Sequence, residues 1–242
     1  MKKITLILAA LTVCMSMLLT ACGGSDSDSG NNNSDNSANA GNEDNAGNDS
    51  ENEGGEQGND SSADVEYVHS TFDENGKFTF EFVNIGADFD TEEWVTFDME
   101  GLSDYNGGAV TEEELKKRLE SGVMVYEMMV GKESGSNINI IVQNLGVLDL
   151  SFTEEEYIDY SLEDIEEQLE YSGTMTDPHA SKSTVTFAGA SRYALDVEGS
   201  SGDFELYERI VVIKKGDYMS MITITAQSAG ERDEFTKIFY SL

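Results

Sequence analysis

Proline and tryptophan occur once each in the 242 residues, and cysteine and histidine twice each. So few cysteines exclude a disulfide scaffold and a zinc ribbon, and the lone proline excludes a collagen-like chain. Basic residues are scarce too: 14 Lys and Arg stand against 48 Asp and Glu, a formal charge of −34. Such a chain lacks the basic face that phosphates demand, so no nucleic-acid partner is expected. It is also repelled by anionic lipid surfaces. Chemical motifs are missing as well. There is no G-x-S-x-G elbow, no G-x-G-x-x-G, no Walker loop and no H-E-x-x-H, and no lysine follows a serine by three positions. Nucleotide chemistry, zincin chemistry and serine hydrolysis therefore have no sequence support, and no cofactor is implied.

What is present begins with a targeting pattern. Lys2 and Lys3 precede an uncharged apolar run from Ile4 to Leu19, which is shorter than the ~20 residues a spanning helix needs. The run ends in Leu19-Thr20-Ala21-Cys22, followed by Gly23-Gly24. This resembles the bacterial lipobox. The resemblance implies fatty acylation of Cys22, cleavage after residue 21 and a mature protein held on the outer face of the cell membrane. Cys14 leaves with the signal peptide, so no thiol remains for catalysis.

Residues 23–64 contain eleven acids, no basic residue, no aromatic and no branched aliphatic. Nothing there can offset the entropy of ordering, so a disordered acidic linker is expected over 22–64, with a reach on the order of 35 Å. Asp49-Ser50-Glu51-Asn52-Glu53-Gly54 approaches a calcium loop, but glutamates occupy its third and fifth places and Asp60 stands where a bidentate glutamate belongs. A tether is the better reading.

From residue 65 apolar residues return in periodic patterns, enough for one core over 65–242. Phe78, Phe80 and Phe82 alternate with polar residues after Asn75-Gly76, which predicts a hairpin with 66–72. Residues 123–130 and 138–145 form a second hairpin around Glu133–Ser136. Tyr193, Leu195 and Val197 mark another strand, Gly199–Gly202 reads as a turn, and 204–213 and 218–226 are strands joined at Lys215-Gly216-Asp217. Thr111 with Glu114, and Thr153 with Glu156, are capping boxes that open two helices. Ser228 and Glu231 open a third, whose Phe235, Ile238, Phe239 and Leu242 share one face. The class expected is α+β, a mostly antiparallel sheet packed with about three helices.

This order of elements, with Glu93-Trp94-Val95, Ser136-Asn137-Ile138-Asn139-Ile140, Lys215-Gly216-Asp217-Tyr218 and Phe239-Tyr240-Ser241, resembles the PsbP-like fold, an α/β/α sandwich. That fold is named for an extrinsic photosystem II protein and shared with a Ran-binding nuclear import factor. The layout is similar, closer still, to lipoproteins of Gram-positive bacteria. The resemblance covers 65–242 and implies a binding role rather than catalysis, with no site residue carried over.

Candidate functional residues are few. Asp88, Asp90, Glu92 and Glu93 crowd around Trp94, whose ring suits a sugar or a cation if it is exposed and the core if it is not. This constellation also carries the competing reading, a carboxylate-dependent hydrolase or solute-handling lipoprotein. His69 and His179 lack metal-ligand spacing and read as independent surface residues, so no metal is expected. Lys116, Lys117 and Arg118 are each preceded, four residues earlier, by Glu112, Glu113 and Glu114, which neutralise them in place. Tyr157, Tyr160 and Tyr171 read as core margin, and Met124, Met128, Met129, Met219 and Met221 as core filling. With a domain charge near −25, the expected partner is a basic protein or cations, besides the membrane reached through the lipid.

Overall fold

The structure, a computed structural model, describes residues 66–242. The expected signal peptide, Cys22 with the lipobox-like Leu19, Thr20 and Ala21, and the expected linker lie outside the described residues.

Among the described residues, eleven strands and three α-helices follow in order. They are β1 (Thr71–Phe72), β2 (Lys77–Phe80), β3 (Ile85–Asp88), β4 (Val95–Phe97), α1 (Glu112–Glu120), β5 (Val125–Gly131), β6 (Asn137–Asn144), α2 (Glu154–Ser172), β7 (Thr176–Phe187), β8 (Ala190–Ser201), β9 (Phe204–Lys215), β10 (Tyr218–Ala226), α3 (Ala229–Thr236) and β11 (Phe239–Ser241). Every pairing is antiparallel, in a seven-stranded sheet ordered β4-β5-β6-β10-β9-β8-β7 and a four-stranded sheet ordered β1-β2-β3-β11. The class is α+β, as the periodicities require.

Alternation along the central strands divides the core in two. Ile138, Ile140 and Val142 of β6, Ile222 and Ile224 of β10, and Val211 and Ile213 of β9 pack with Phe78 and Phe80 of the small sheet, Leu115 and Leu119 of α1, and Phe235 of α3. The opposite set, Ile141, Met219, Met221, Ile210 and Val212, shares a core with Tyr157, Ile158, Ile165 and Leu169 of α2. We call these the small-sheet face and the helix face. One outer layer is thus a helix and the other is a sheet flanked by two short helices.

Local chemistry sets the helix ends. Thr153 Oγ1 accepts from the Glu156 amide at 3.2 Å, while Glu156 Oε2 accepts from the Thr153 amide at 2.8 Å. Thr111 and Glu114 repeat the arrangement on α1. Each box satisfies amides that a helix start leaves orphaned. Phe152 meets Tyr157 edge-on at 6.2 Å across the first turn of α2, and the helix stops where Gly173 takes φ +69°.

Several expectations change. The last helix ends at Thr236, and Phe239–Ser241 form β11 against β3, so Phe239 fills the core from a strand while Leu242 is exposed. The hairpin before β2 uses only Thr71 and Phe72. Phe82 is buried from a single 3₁₀ turn rather than from strand. Gly199–Ser201 lie inside β8, with the turn beginning at Gly202. Tyr157 is wholly in the core, whereas Tyr171 is 93% exposed.

Ionic contacts tie these layers together. Lys117 does pair with Glu113, at 2.8 Å. A buried network joins α3 to the central sheet: Arg209 of β9 donates to both oxygens of Asp196 on β8, at 2.7 and 3.1 Å, and to Asp233 of α3 at 2.8 Å. His69 is no surface residue. Its Nδ1 lies 2.8 Å from Glu127, where a bulge in β5 turns that side chain inward, and Tyr67 Oη and the Ser70 amide donate to the same carboxylate. The segment entering the domain is fastened there. His179 stands instead on β7, at the opposite edge of the seven-stranded sheet.

Candidate functional site

The residues around Trp94 are placed by the turn between β3 and β4. Asp90 organises it: its side chain accepts from the Glu92 amide at 2.9 Å, and its carbonyl accepts from the amides of Glu93 and Trp94 at 3.0 and 2.8 Å. These bonds point Trp94 inward and Glu92 and Glu93 outward. The indole is 5% exposed and lies edge-on to Phe89 at 5.4 Å and to Phe235 at 4.9 Å. Its outer side is covered by Lys132, whose Nζ sits 4.8 Å from the indole centroid and 5.2 Å from that of Phe235. Glu93 holds the same ammonium at 2.7 Å. Trp94 is therefore a core side chain whose face is already occupied by a cation.

What remains open is a groove of about 330 Å³ along this edge, lined by Thr91–Val95 and by Lys132, Glu133 and Ser134. The turn forming its second wall is braced from α3: Ser136 Oγ donates to Glu231 at 3.1 Å, and Gln227 Nε2 donates to the Ser134 carbonyl. The groove lies on β4, the last strand of the seven-stranded sheet, and Val95 there is 59% exposed. Glu92 and Glu133 are exposed, and no ion pair engages either among the described residues. Asp88 lies apart from them at the end of β3, accepting from Tyr240 Oη at 3.2 Å. The structure thus joins Glu92, Glu93 and Trp94 in one groove. Asp90 serves as the turn's internal acceptor and Asp88 as the partner of a tyrosine.

Sequence inspection missed the contribution of Lys132 and Glu133. The signal was available, because an exposed hairpin tip next to an edge strand brings its charges to that edge. It also missed a second groove of about 490 Å³, where Glu166, Glu167 and Glu170 of α2 face Asp177 and His179 of β7. There Glu166 accepts from the Ala180 amide and fastens the bulged strand to the helix.

No family model matches the chain, and no curated protein matches it in sequence. Among solved structures it is similar to the solution structure of cyanobacterial PsbP (CyanoP) from Synechocystis sp. PCC 6803. The two share 11% identity over 72% of this chain and 92% of that chain, with a TM-score of 0.41.

Proposed function

We propose that this protein is a lipid-anchored, extracytoplasmic binding module that takes a basic protein segment into the acidic groove on β4. The observation that carries the reading is the pair Glu92 and Glu133, two exposed carboxylates flanking a sheet edge with no cation of their own among the described residues. An extended segment laid beside β4 gains backbone hydrogen bonds from the open edge and charge pairing from those glutamates. Lys132 is already held by Glu93 and by two rings, so it does not neutralise the groove. The anchor rests on Leu19-Thr20-Ala21-Cys22, and the acidic segment after it serves as the spacer between membrane and domain.

Two measurements test this. Cys22→Ala is expected to leave uncleaved precursor in cells; normal processing and unchanged anchoring would remove the lipid from the account. A labelled oligolysine peptide is expected to bind the protein at low salt. Reversing the groove with Glu92→Lys and Glu133→Lys together should weaken that binding at least tenfold. An unchanged affinity would place the basic partner elsewhere.

A further inference from the structure

The helix face of the central sheet carries a row of polar side chains where apolar ones are expected. Glu208 of β9 occupies the same face as Leu206, Ile210 and Val212, and it is 1% exposed. Its register partner on β10 is Thr225, and Thr225 pairs in turn with Asn137 of β6. In the adjoining row Thr223 pairs with Asn139. Thr223, Thr225 and Asn139 are all buried, and Glu208 Oε2, both threonine hydroxyls and Asn139 Oδ1 have no hydrogen-bond partner. Native folds leave few such groups unmatched, because each costs the full penalty of its desolvation. Four clustered on neighbouring strands therefore point to a ligand.

The row continues to the sheet edge. Beyond Asn137, which is half-buried, the next residue across is Gly131 of β5, and then Val95 on the exposed edge strand. A side chain at Gly131 would meet no atom within 4 Å. The absent side chain leaves open space above Gly131, at the edge end of the row that reaches Glu208. With strands about 4.8 Å apart, three spacings separate Gly131 from Glu208, roughly 14 Å. The unmatched atoms are one carboxyl oxygen, an amide oxygen and two hydroxyls, a set rich in acceptors. They call for a slender ligand that brings N–H donors at intervals along its length, with a positive charge for Glu208.

We propose that this row binds a linear aliphatic polyamine, entering over Gly131, with its inner ammonium on Glu208 and its other N–H groups on Thr225, Thr223 and the two asparagines. Its entry adjoins the acidic groove at Val95, but its binding side chains are different ones, so it stands or falls independently of the groove's glutamates. Burial distinguishes it from loose adsorption on an acidic surface: exposed charges are screened at high salt, whereas a buried pair is screened much less.

The test is calorimetric titration of the purified full chain with spermidine in 0.5 M NaCl at pH 9, where Glu208 is ionised and the amine still carries charge. One-to-one binding is expected, lost at least tenfold in Glu208→Gln. Gly131→Val, which fills the entry in open space, should abolish it while leaving the fold's thermal transition in place. Multiple weak sites that vanish at 0.5 M NaCl would overturn the proposal, as would affinity unchanged in both variants. Calcium displacing spermidine one-for-one would overturn the ammonium assignment.

Discussion

Glu208 should make the domain less stable as pH rises. Its carboxyl is pushed from its ordinary 4.5 to about 8 by burial alone, with no charged neighbour contributing. An acid whose folded-state pKa is raised binds its proton more tightly in the native state. Below pH 4.5 both states are protonated and nothing is lost; between 4.5 and 8 the unfolded chain ionises while the native one does not. Stability then falls by about 1.4 kcal/mol per unit of pH. At pH 7 the loss reaches about 3 kcal/mol, which for a domain of this size is a shift of roughly 6–12 °C in Tm. Glu208→Gln keeps the shape and abolishes the titration. Urea unfolding of both proteins in amine-free buffer is the assay. The stability difference should be small at pH 4.5 and grow in favour of the variant to about 3 kcal/mol at pH 7. Curves that stay parallel from pH 4.5 to 8, or a wild type that is the more stable at pH 7, would show that burial does not raise the Glu208 carboxyl in the folded domain.

Other contacts give sharper local tests. Burial by itself would lower the pKa of His69, but the hydrogen bond and charge of Glu127, aided by Glu112, outweigh it and raise the value above 6.5. Its stabilising effect is therefore complete below pH 6.5 and lost as pH rises through the raised value, so the advantage of wild type over His69→Gln should shrink over that window in thermal unfolding. Arg209→Met leaves Asp196 buried with only the Arg232 guanidinium, 4.0 Å away, and should cost about 3 kcal/mol. Adding Asp196→Leu should recover much of that loss; equal instability of the double variant would show that the network acts through more than this pair.

How much of this was legible in the chain depends on how far each signal reaches. The capping boxes at Thr111 and Thr153 are four-residue patterns, and the structure forms both where the sequence places them. The hairpin of β5 and β6 likewise announces itself through a Gly-Ser turn between two apolar runs. β11 does not. Phe235, Ile238, Phe239 and Leu242 fit a helical face, and only pairing with β3, distant in the chain, makes the last of these elements a strand. His69 was misjudged for the same reason, since its burial depends on Glu127 at a bulge that no local pattern marks. Within the candidate site, the turn acids and Trp94 could be found by inspection, but the side chains that decide its chemistry could not. Lys132, which covers the indole, arrives from a different hairpin. Glu208 left a trace, because it sits in phase with Leu206, Ile210 and Val212, where a period-two strand has no place for a charge.

A basic segment docked beside Trp94 would be reported by the indole itself, because the chain contains one tryptophan. Lys132 lies over that ring and is held by Glu93, so a basic segment competing for Glu93 must disturb the cation above the indole. Fluorescence of Trp94 should therefore shift in a saturable way on titration with oligolysine at low salt, and the response should disappear in 0.5 M NaCl and in the Glu92→Lys, Glu133→Lys variant. Oligolysine that binds, by anisotropy of a label on the peptide, while leaving the Trp94 emission unchanged would contradict the account.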